Sequence, residues 1–586
     1  MMRMKRCASN GILLRAVKTV FSAAPVFECF NILVSLAYGI LSGLSVTYIQ
    51  VFFDAISAHS AGQPIDASLL NVVAPFFVIL ISTEILSTFF NGIGKVWTMK
   101  VEGKMSVKLV RACTQYPPLS YENPAYLDQL NKAKEGMRSC IYMVGSIVVL
   151  LAYYVPYFLI VQSFLYRVSG VLSIILCLSF VPAIWEFAIH HRRSVENEDE
   201  VAILRRKKAA YSDCIIDPLF FKETRLLGAY RYFAVRLQES STAIAGRRLK
   251  LAHKMSSNML LVKGLSLSCF FALLAVLAHS AVAGNASIGG FSAVFLSVMS
   301  LFAAIDNIVH GQVGYIIIAG ASAKNFISFI DDKTITHEDA IAPSPVCETD
   351  DIAIAFQDVS FSYPNASAVA LKKVNVKIMK GETVAIVGEN GSGKTTLARI
   401  LLGLYQPDQG CVVCGRQYKN SSAFQQFAKY KMTLQENVEI SDMGRNEPAR
   451  AQALCASSAI QVDCLSDGYK TMLSKEFDGT DLSGGEWQRI AIARGLYRLE
   501  EGIMVFDEPT AAIDPIEETR LFSLFHHLAQ GTTSIIITHR LGSARIAERI
   551  LVMDQGQIVQ EGTHDELVAK HGKYADMYEQ QAQWYQ

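Results

Sequence analysis

No charge of one sign dominates this 586-residue chain: 54 Lys and Arg stand against 53 Asp and Glu, a formal net charge of +1. A global field that would recruit nucleic acid is therefore missing, and no nucleic-acid partner is expected. Charged residues are scarce altogether, at 18%, while Gly (38) and Pro (16) stay near ordinary usage. That excludes collagen-like, low-complexity and largely disordered chains. A disulfide framework is also missing, since the twelve cysteines are scattered through apolar or helix-patterned stretches and read as reduced thiols. One close pair, Cys411 and Cys414 in GCVVCG, has metal or redox spacing, but no second Cys or His pair follows to complete a zinc site. A short β-hairpin is expected there instead. What the chain has in abundance is apolar side chain: 51% is hydrophobic and the mean hydropathy is +0.27. It is too long for one ordinary domain and too apolar for a wholly soluble protein.

Hydropathy divides the sequence near residue 330. Before it lie six apolar runs, at 26–57, 68–94, 139–163, 168–189, 257–283 and 288–310, each meeting the ~20 residues a helix needs to cross ~30 Å of hydrocarbon. The first is too long for a cleavable signal peptide and is retained as a span. Lysine and arginine gather before the first span, between the second and third, and between the fourth and fifth. Because basic short loops stay cytoplasmic, both termini are expected inside, at the plasma membrane. The two cytoplasmic loops are long and helix-patterned, so the spanning helices should continue beyond the lipid and turn at a tip. Pro117, Pro118 and Pro124 mark one tip and Gly228 the other. The expected organisation is a transmembrane domain at 1–330, a linker at 331–350 and a soluble domain at 351–586.

From Asp351 onward short strands alternate with helices, as an α/β domain requires. Within ETVAIVGENGSGKTTLARILLGL, a buried strand leads into G-x-x-x-x-G-K-T and then into an amphipathic helix. Glycines let backbone N–H groups curve around phosphate oxygens, and the helix N-terminus adds its positive dipole end. Lys394 would neutralise the β/γ-phosphates and Thr395 would ligate magnesium. GIMVFDEPT is an apolar strand ending in Asp507, placed to hold Mg2+, and Glu508, placed to polarise an attacking water. SIIITHR ends another strand in His539, within reach of the same γ-phosphate if the sheet is parallel. In LSGGEWQRIAIARGLYR, Ser483, Gly484 and Gly485 open a further helix, a second anion site in a chain that already has its first.

At this point the sequence resembles the ATP-binding cassette (ABC) transporters, specifically half-size exporters whose six spans are fused to one nucleotide-binding domain. The resemblance covers essentially the whole chain. It implies a multi-domain membrane protein: an all-α six-helix transmembrane domain of the type IV exporter kind, followed by an α/β P-loop NTPase. It further implies that Tyr363 stacks on adenine. Gly388, Glu389, Asn390, Gly391, Ser392, Gly393, Lys394, Thr395 and Thr396 would cradle the phosphates of ATP. Glu508 would be the catalytic base, His539 the switch histidine, and Gln425 the link between Mg2+, the attacking water and the membrane domain. The stretch from Gln409 to Gln425 is shorter than the family's usual connection, which leaves Gln426 as an alternative. Asp514 resembles the residue that communicates across a dimer. Two copies, or this chain and a related half-transporter, would pair so that each ATP lies between one phosphate loop and the other chain's Ser483, Gly484 and Gly485, with the tips near Glu122 and Lys222–Arg225 carrying the motion to the spans.

Export is the direction such chains imply. The ~25 residues before the first span are too few for a folded leader-peptidase domain by ordinary domain size. The signature region with Trp487 and the segment FQQFAKYKMTLQENV look most like exporters of lantibiotics and related peptides, with a lipid or drug flippase as the alternative and a non-transporting regulatory ATPase as a more distant one. Glu84, Glu186 and Asp306 lie within apolar spans, where acids are rare. Either they line a vestibule that attracts a cationic amphipathic peptide, or they sit at the interface or pair with bases.

Overall fold

The computed structural model describes residues 2–60, 67–218, 220–283, 287–332, 351–364, 366, 368–414, 420–499, 502–508 and 532–583. They form two compact units. The first comprises Met1–Ala112 and Gln129–Asp332; the second comprises Cys113–Asp128 and Lys333–Gln586. The first loop tip therefore groups with the soluble domain rather than with the spans that carry it. Of the expected linker, Asp331 and Asp332 end the first unit, and 333–350 lie outside the described residues.

The first unit is helical: α1 (Met2–Ala23), α2 (Pro25–Ser60), α3 (Ala67–Cys113), α4 (Pro124–Val149), α5 (Val155–Val168), α6 (Gly170–Leu178), α7 (Phe180–Ile216), α8 (Phe221–Leu226), α9 (Tyr230–Val282), α10 (Ile288–Asp306) and α11 (Gly314–Ile330). Among the described residues, six segments are long and apolar enough to cross a membrane: Pro25–Ala58, Asn71–Cys113, Pro124–Val168, Gly170–Ile189, Leu260–Val282 and Ile288–Ile330. The chain is a multi-pass membrane protein, as its hydropathy implies. The 53 residues of α9 make a rod of about 80 Å at ~1.5 Å per residue, far longer than the hydrocarbon it crosses. Among the described residues, two π-helical turns interrupt the ladders, at Leu150–Tyr154 and Asn307–Val313. The first ends two residues before Pro156, which has no N–H to donate and forces the local hydrogen bonds to rearrange.

Packing in this unit depends on small residues that let backbones approach. A Cβ at Gly39 would collide with the Tyr153 carbonyl, and one at Gly136 with the Ser322 carbonyl. Val161, Leu172, Leu273, Val294 and Leu301 fill the interior between them. Two of the three span acids singled out from the sequence, Glu186 and Asp306, face a base. Asp306 Oδ1 lies 3.1 Å from Lys263 Nζ, Glu186 Oε2 lies 3.8 Å from the same ammonium, and His310 Nε2 lies 3.8 Å from both carboxylates. Pairing with bases is thus the observed arrangement for Glu186 and Asp306, because a neighbouring cation offsets the cost of an acid in an apolar span. Glu84 is exposed and stands apart from this cluster.

In the second unit, β1 (Ile352–Phe361), β2 (Leu371–Met379) and β4 (Gln409–Cys414) form an antiparallel sheet in the order β2-β1-β4. The larger sheet has the order β5-β6-β7-β3-β8-β9, built from β3 (Thr383–Gly388), β5 (Ser421–Ala423), β6 (Ile503–Asp507), β7 (Thr533–Ile537), β8 (Arg549–Asp554) and β9 (Gln557–Gly562). All of its pairings are parallel except β8 with β9. Every residue of β3, β6 and β7 is buried, as continuous apolar runs covered on both faces demand. Phe356, Phe361, Val384, Ile386, Val505, Ile535 and Leu551 share one core. The hairpin expected at GCVVCG is not formed: β4 pairs with β1, and the next strand, β5, belongs to the other sheet. No group of metal-ligating side chains occurs among the described residues.

Both loop tips turn where the breakers sit. A short 3-10 helix, Pro118–Glu122, follows Pro117, and Gly228 takes φ +65° after α8. Because the Gly136 contact is with rigid backbone, Gly136→Val is expected to cost about 1–3 kcal/mol of packing strain. Thermal unfolding of the detergent-solubilised protein should read this as a lowered Tm, while Gly92→Ala, which meets nothing within 4 Å, should leave Tm level or slightly raised, since alanine favours a helix over glycine.

Candidate nucleotide site

Parallel pairing brings the C-terminal ends of β3, β6 and β7 to one edge, where each strand runs into a polar segment. After β3 the chain turns through Glu389, Asn390, Gly391, Ser392 and Gly393 into the helix Lys394–Leu401. Gly391 and Gly393 have φ of +81° and +102°, and a Cβ on Gly393 would stand 2.8 Å from the Ala370 carbonyl oxygen. Only glycine adopts this path without strain. Lys394 curls back over the loop, its Nζ donating to the carbonyls of Gly388 at 2.8 Å and Glu389 at 2.9 Å. Burial pulls its ammonium below the usual lysine range, and the Glu508 and Asp507 carboxylates oppose that pull.

Asp507 ends β6 and is 3% exposed, with its Oδ1 lacking any hydrogen-bond partner. Burial pushes its carboxyl above the usual aspartate range, and Glu508 pushes the same way. The Thr395 hydroxyl, Arg399 and Lys394 pull it back. Ser392 Oγ is likewise buried without a partner. Such orphaned polar atoms are rare in native interiors and call for a ligand. A buried hydroxyl and a buried carboxylate oxygen beside an ammonium suit phosphate oxygens and a hydrated divalent cation.

Glu508 is the most constrained residue here. Its backbone is left-handed, with φ +49°, at a cost of about 1–3 kcal/mol for a non-glycine residue. Its N–H is tied to the Ile537 carbonyl of β7 at 2.9 Å. The side chain, 11% exposed, receives Gln425 Nε2 on Oε2 at 2.6 Å and lies 2.9 Å from His539 Nδ1 through Oε1. Gln425, not Gln426, is therefore the glutamine that reaches the cleft. Tyr363, Ala370, Asn390, Gly391, Gly393, Lys394, Thr395, Thr396, Gln425, Glu508 and His539 line a cavity of about 580 Å³. Gly388, Glu389 and Ser392 belong to the same loop. The cavity has the polar lining and the volume that a nucleoside triphosphate needs, with Lys394 and Glu508 among its walls.

Ser483 caps the helix Gly484–Arg498 in a capping box with Glu486. Neither Ser483, Gly484 nor Gly485 lines the cavity, and Ser483 and Gly484 are exposed. Asp514 lies outside the described residues. Around Tyr363 the structure adds a network that the motifs do not reveal. Tyr363 Oη is 3.1 Å from Thr396 Oγ1. Arg399, one turn beyond the phosphate loop, donates to Tyr405 Oη at 2.9 Å and to Glu122 Oε1 at 3.2 Å, and Tyr405 Oη donates to that same oxygen at 2.9 Å. Glu122 stands out in the sequence by its place at a loop tip, but nothing local signals its partners, which lie 277 and 283 residues away.

An alternating sheet with a phosphate loop, a paired acid and a histidine at one edge defines a nucleotide-hydrolysing P-loop domain. Known proteins place it more closely. Residues 371–511 match the family model described as ABC transporter. The subtilin transport ATP-binding protein SpaT of Bacillus subtilis is 29% identical over 545 residues, spanning 86% of this chain and 83% of its own. The nisin transport ATP-binding protein NisT of Lactococcus lactis is 27% identical, covering 87% of each chain. An ATP-dependent lipid A-core flippase of Thiobacillus denitrificans is 32% identical, over 52% of this chain and 53% of its own. In fold, the chain matches a bacterial Atm1-family ABC exporter with ATP bound, at a TM-score of 0.73 and 21% identity over 99% of both chains. The chain belongs to the ABC transporters: it is a half-size exporter that binds ATP and couples its hydrolysis to transport.

Because the folded-state pKa of Asp507 is raised, protonation favours the nucleotide-free fold, and this contribution is lost as pH climbs from the ordinary aspartate range through the folded-state value. Asp507→Asn is thus expected to raise the Tm of the nucleotide-free protein at pH 7, with the gain shrinking as pH falls toward about 4, the usual Asp region. The same variant should lose ATP turnover; scanning calorimetry across pH with a parallel phosphate-release assay checks both.

Proposed function

We propose that this exporter works as a homodimer in the plasma membrane, with both termini and the ATPase domain in the cytoplasm, and moves a cationic amphipathic peptide outward. The observation that carries the hydrolytic part is the Glu508 carboxylate, held between Gln425 and His539 at the mouth of the phosphate loop. In this reading Glu508 takes the proton of the attacking water, and His539 orients Glu508 and meets the γ-phosphate. Thr395, Asp507 and Gln425 are the residues that would hold Mg2+, which supplies charge neutralisation across the phosphates when bound. Gly388, Glu389, Asn390, Gly391, Ser392, Gly393, Lys394, Thr395 and Thr396 bind the phosphates, and Tyr363 stacks on adenine. The exposed Ser483 and Gly484, with Gly485, close over the nucleotide of the partner chain, and Asp514 relays closure across the seam.

The peptide assignment is supported by coverage. The relatives named for subtilin and nisin transport align over most of their length, whereas the lipid A-core flippase aligns over about half of its own. A lipid flippase is the second reading, favoured by that relative's higher identity. With Glu186 and Asp306 already facing Lys263, the exposed Glu84 is the span acid with most freedom to meet cationic cargo.

Glu508→Gln is expected to keep ATP binding and lower kcat by about 10²–10⁴-fold, the usual range for a lost general base. Equilibrium nucleotide binding and single-turnover hydrolysis measure this, and normal turnover would remove the base assignment. In liposomes, ATPase activity should rise with cationic lantibiotic-type peptides, and Glu84→Gln should weaken that rise while sparing the basal rate. Stimulation by lipids alone would favour the flippase.

A further inference from the structure

The helix Lys573–Gln583 touches the phosphate loop at Glu389 and the turn at His539. His539 sits where β7 gives way to the short helix Leu541–Ala544. In front, the Thr538 N–H donates to Ile386 O at 3.2 Å, and the Arg540 N–H to Thr538 Oγ1 at 3.0 Å. Behind, one side-chain amide holds the turn: Gln581 Nε2 donates to the His539 carbonyl, and Gln581 Oε1 accepts the Leu541 N–H at 2.9 Å. Leu541 opens a helix whose N-cap, Arg540, offers no side-chain cap, so its N–H would otherwise be one of the unpaired donors of a helix start. A planar amide that bridges C=O of residue i and N–H of residue i+2 fixes the peptide planes on either side of Arg540, and with them the direction in which His539 leaves the backbone.

The helix itself is firmly anchored. Tyr574 is fully buried in one core with Ala385 and Val387 of β3 and with Leu541. Its N–H donates to Gln560 Oε1 at 2.9 Å, and its hydroxyl lies 2.8 Å from His564 Nδ1. At the helix start, Lys573 Nζ stands 2.7 Å from Asp554 and 3.3 Å from Glu389 of the phosphate loop. One rigid element thus ties the loop that follows β3 to the turn that follows β7. The geometry points to Gln581 as a positioning residue for ATP hydrolysis, acting through His539, with the Lys573–Gln583 helix as the strut that keeps the histidine turn in register with the phosphate loop. This rests on the reading of His539 given above.

The test is a double-mutant cycle in the full chain reconstituted in liposomes: Gln581→Ala, His539→Ala and both together, with Gln581→Glu as a further variant. Gln581→Ala is expected to lower kcat about tenfold with KM for ATP held within about twofold, since misplacing a reacting group by a fraction of an ångström costs rate rather than binding. On the His539→Ala background it should cost nothing more. Gln581→Glu keeps the acceptor for Leu541 but sets a carboxylate oxygen against the His539 carbonyl, so its kcat should be no higher than that of Gln581→Ala. A wild-type kcat in Gln581→Ala beside a dead His539→Ala overturns the positioning role and leaves the histidine assignment standing. An equal further loss on both backgrounds also overturns it, because Gln581 would then act independently of His539. Wild-type turnover in His539→Ala removes the histidine assignment, and this proposal with it.

Discussion

A carboxylate pinned in a strained backbone is the constraint around which the nucleotide site is arranged. Glu508 has left-handed dihedrals that a β-strand end does not favour, and it is held there by its N–H on Ile537, by Gln425 and by His539. Backbone strain of this sort persists only where the surroundings over-determine it. Here the surroundings are three separate segments brought to one edge by parallel strand pairing. The same pairing buries Asp507 beside Lys394, so an acid and a base that are each disfavoured by burial offset one another. The site is rigid where it grips phosphate and contains unpaired buried atoms where a ligand must supply the missing contacts.

The loop at 113–128 joins this unit through the polar network around Arg399 and Tyr405. Glu122 accepts from both Arg399 and Tyr405, and Arg399 stands on the helix that begins with Lys394. A change in how the phosphate-loop helix sits when ATP binds would therefore be felt at Glu122 through one guanidinium. Burial pushes the Tyr405 phenol up to about 12, so it stays a neutral donor at physiological pH and the network keeps its polarity.

Much of this was legible because its determinants are local. A strand, a glycine loop and a helix start lie within one stretch, so the order of the residues is enough to place Lys394, Thr395, Asp507, Glu508 and His539. The spans were equally readable, since length and apolarity are all that a bilayer asks of a helix. What escaped is long-range. Nothing around Arg399 announces Glu122, nothing around Lys263 announces Asp306, and nothing near the end of the chain announces that Gln581 meets the His539 turn. The GCVVCG segment misled because two turn-like glycines around a β-branched pair suit a hairpin, while its true partner, β1, lies about fifty residues earlier. Helix interruptions were missed for a related reason: hydropathy counts side chains and takes no account of the missing N–H of Pro156.

In the proposed dimer each ATP is gripped by two chains. Complementation between two inactive chains tests it most directly. One chain carries Lys394→Ala, the other Ser483→Arg, and the two are co-expressed with different tags so that mixed dimers can be isolated. If sites form between chains, a mixed dimer holds one doubly damaged site and one intact site, and it will trap nucleotide with vanadate while neither parent does. If each chain builds its site alone, both sites of the mixed dimer stay damaged, trapping stays at background, and the account is contradicted.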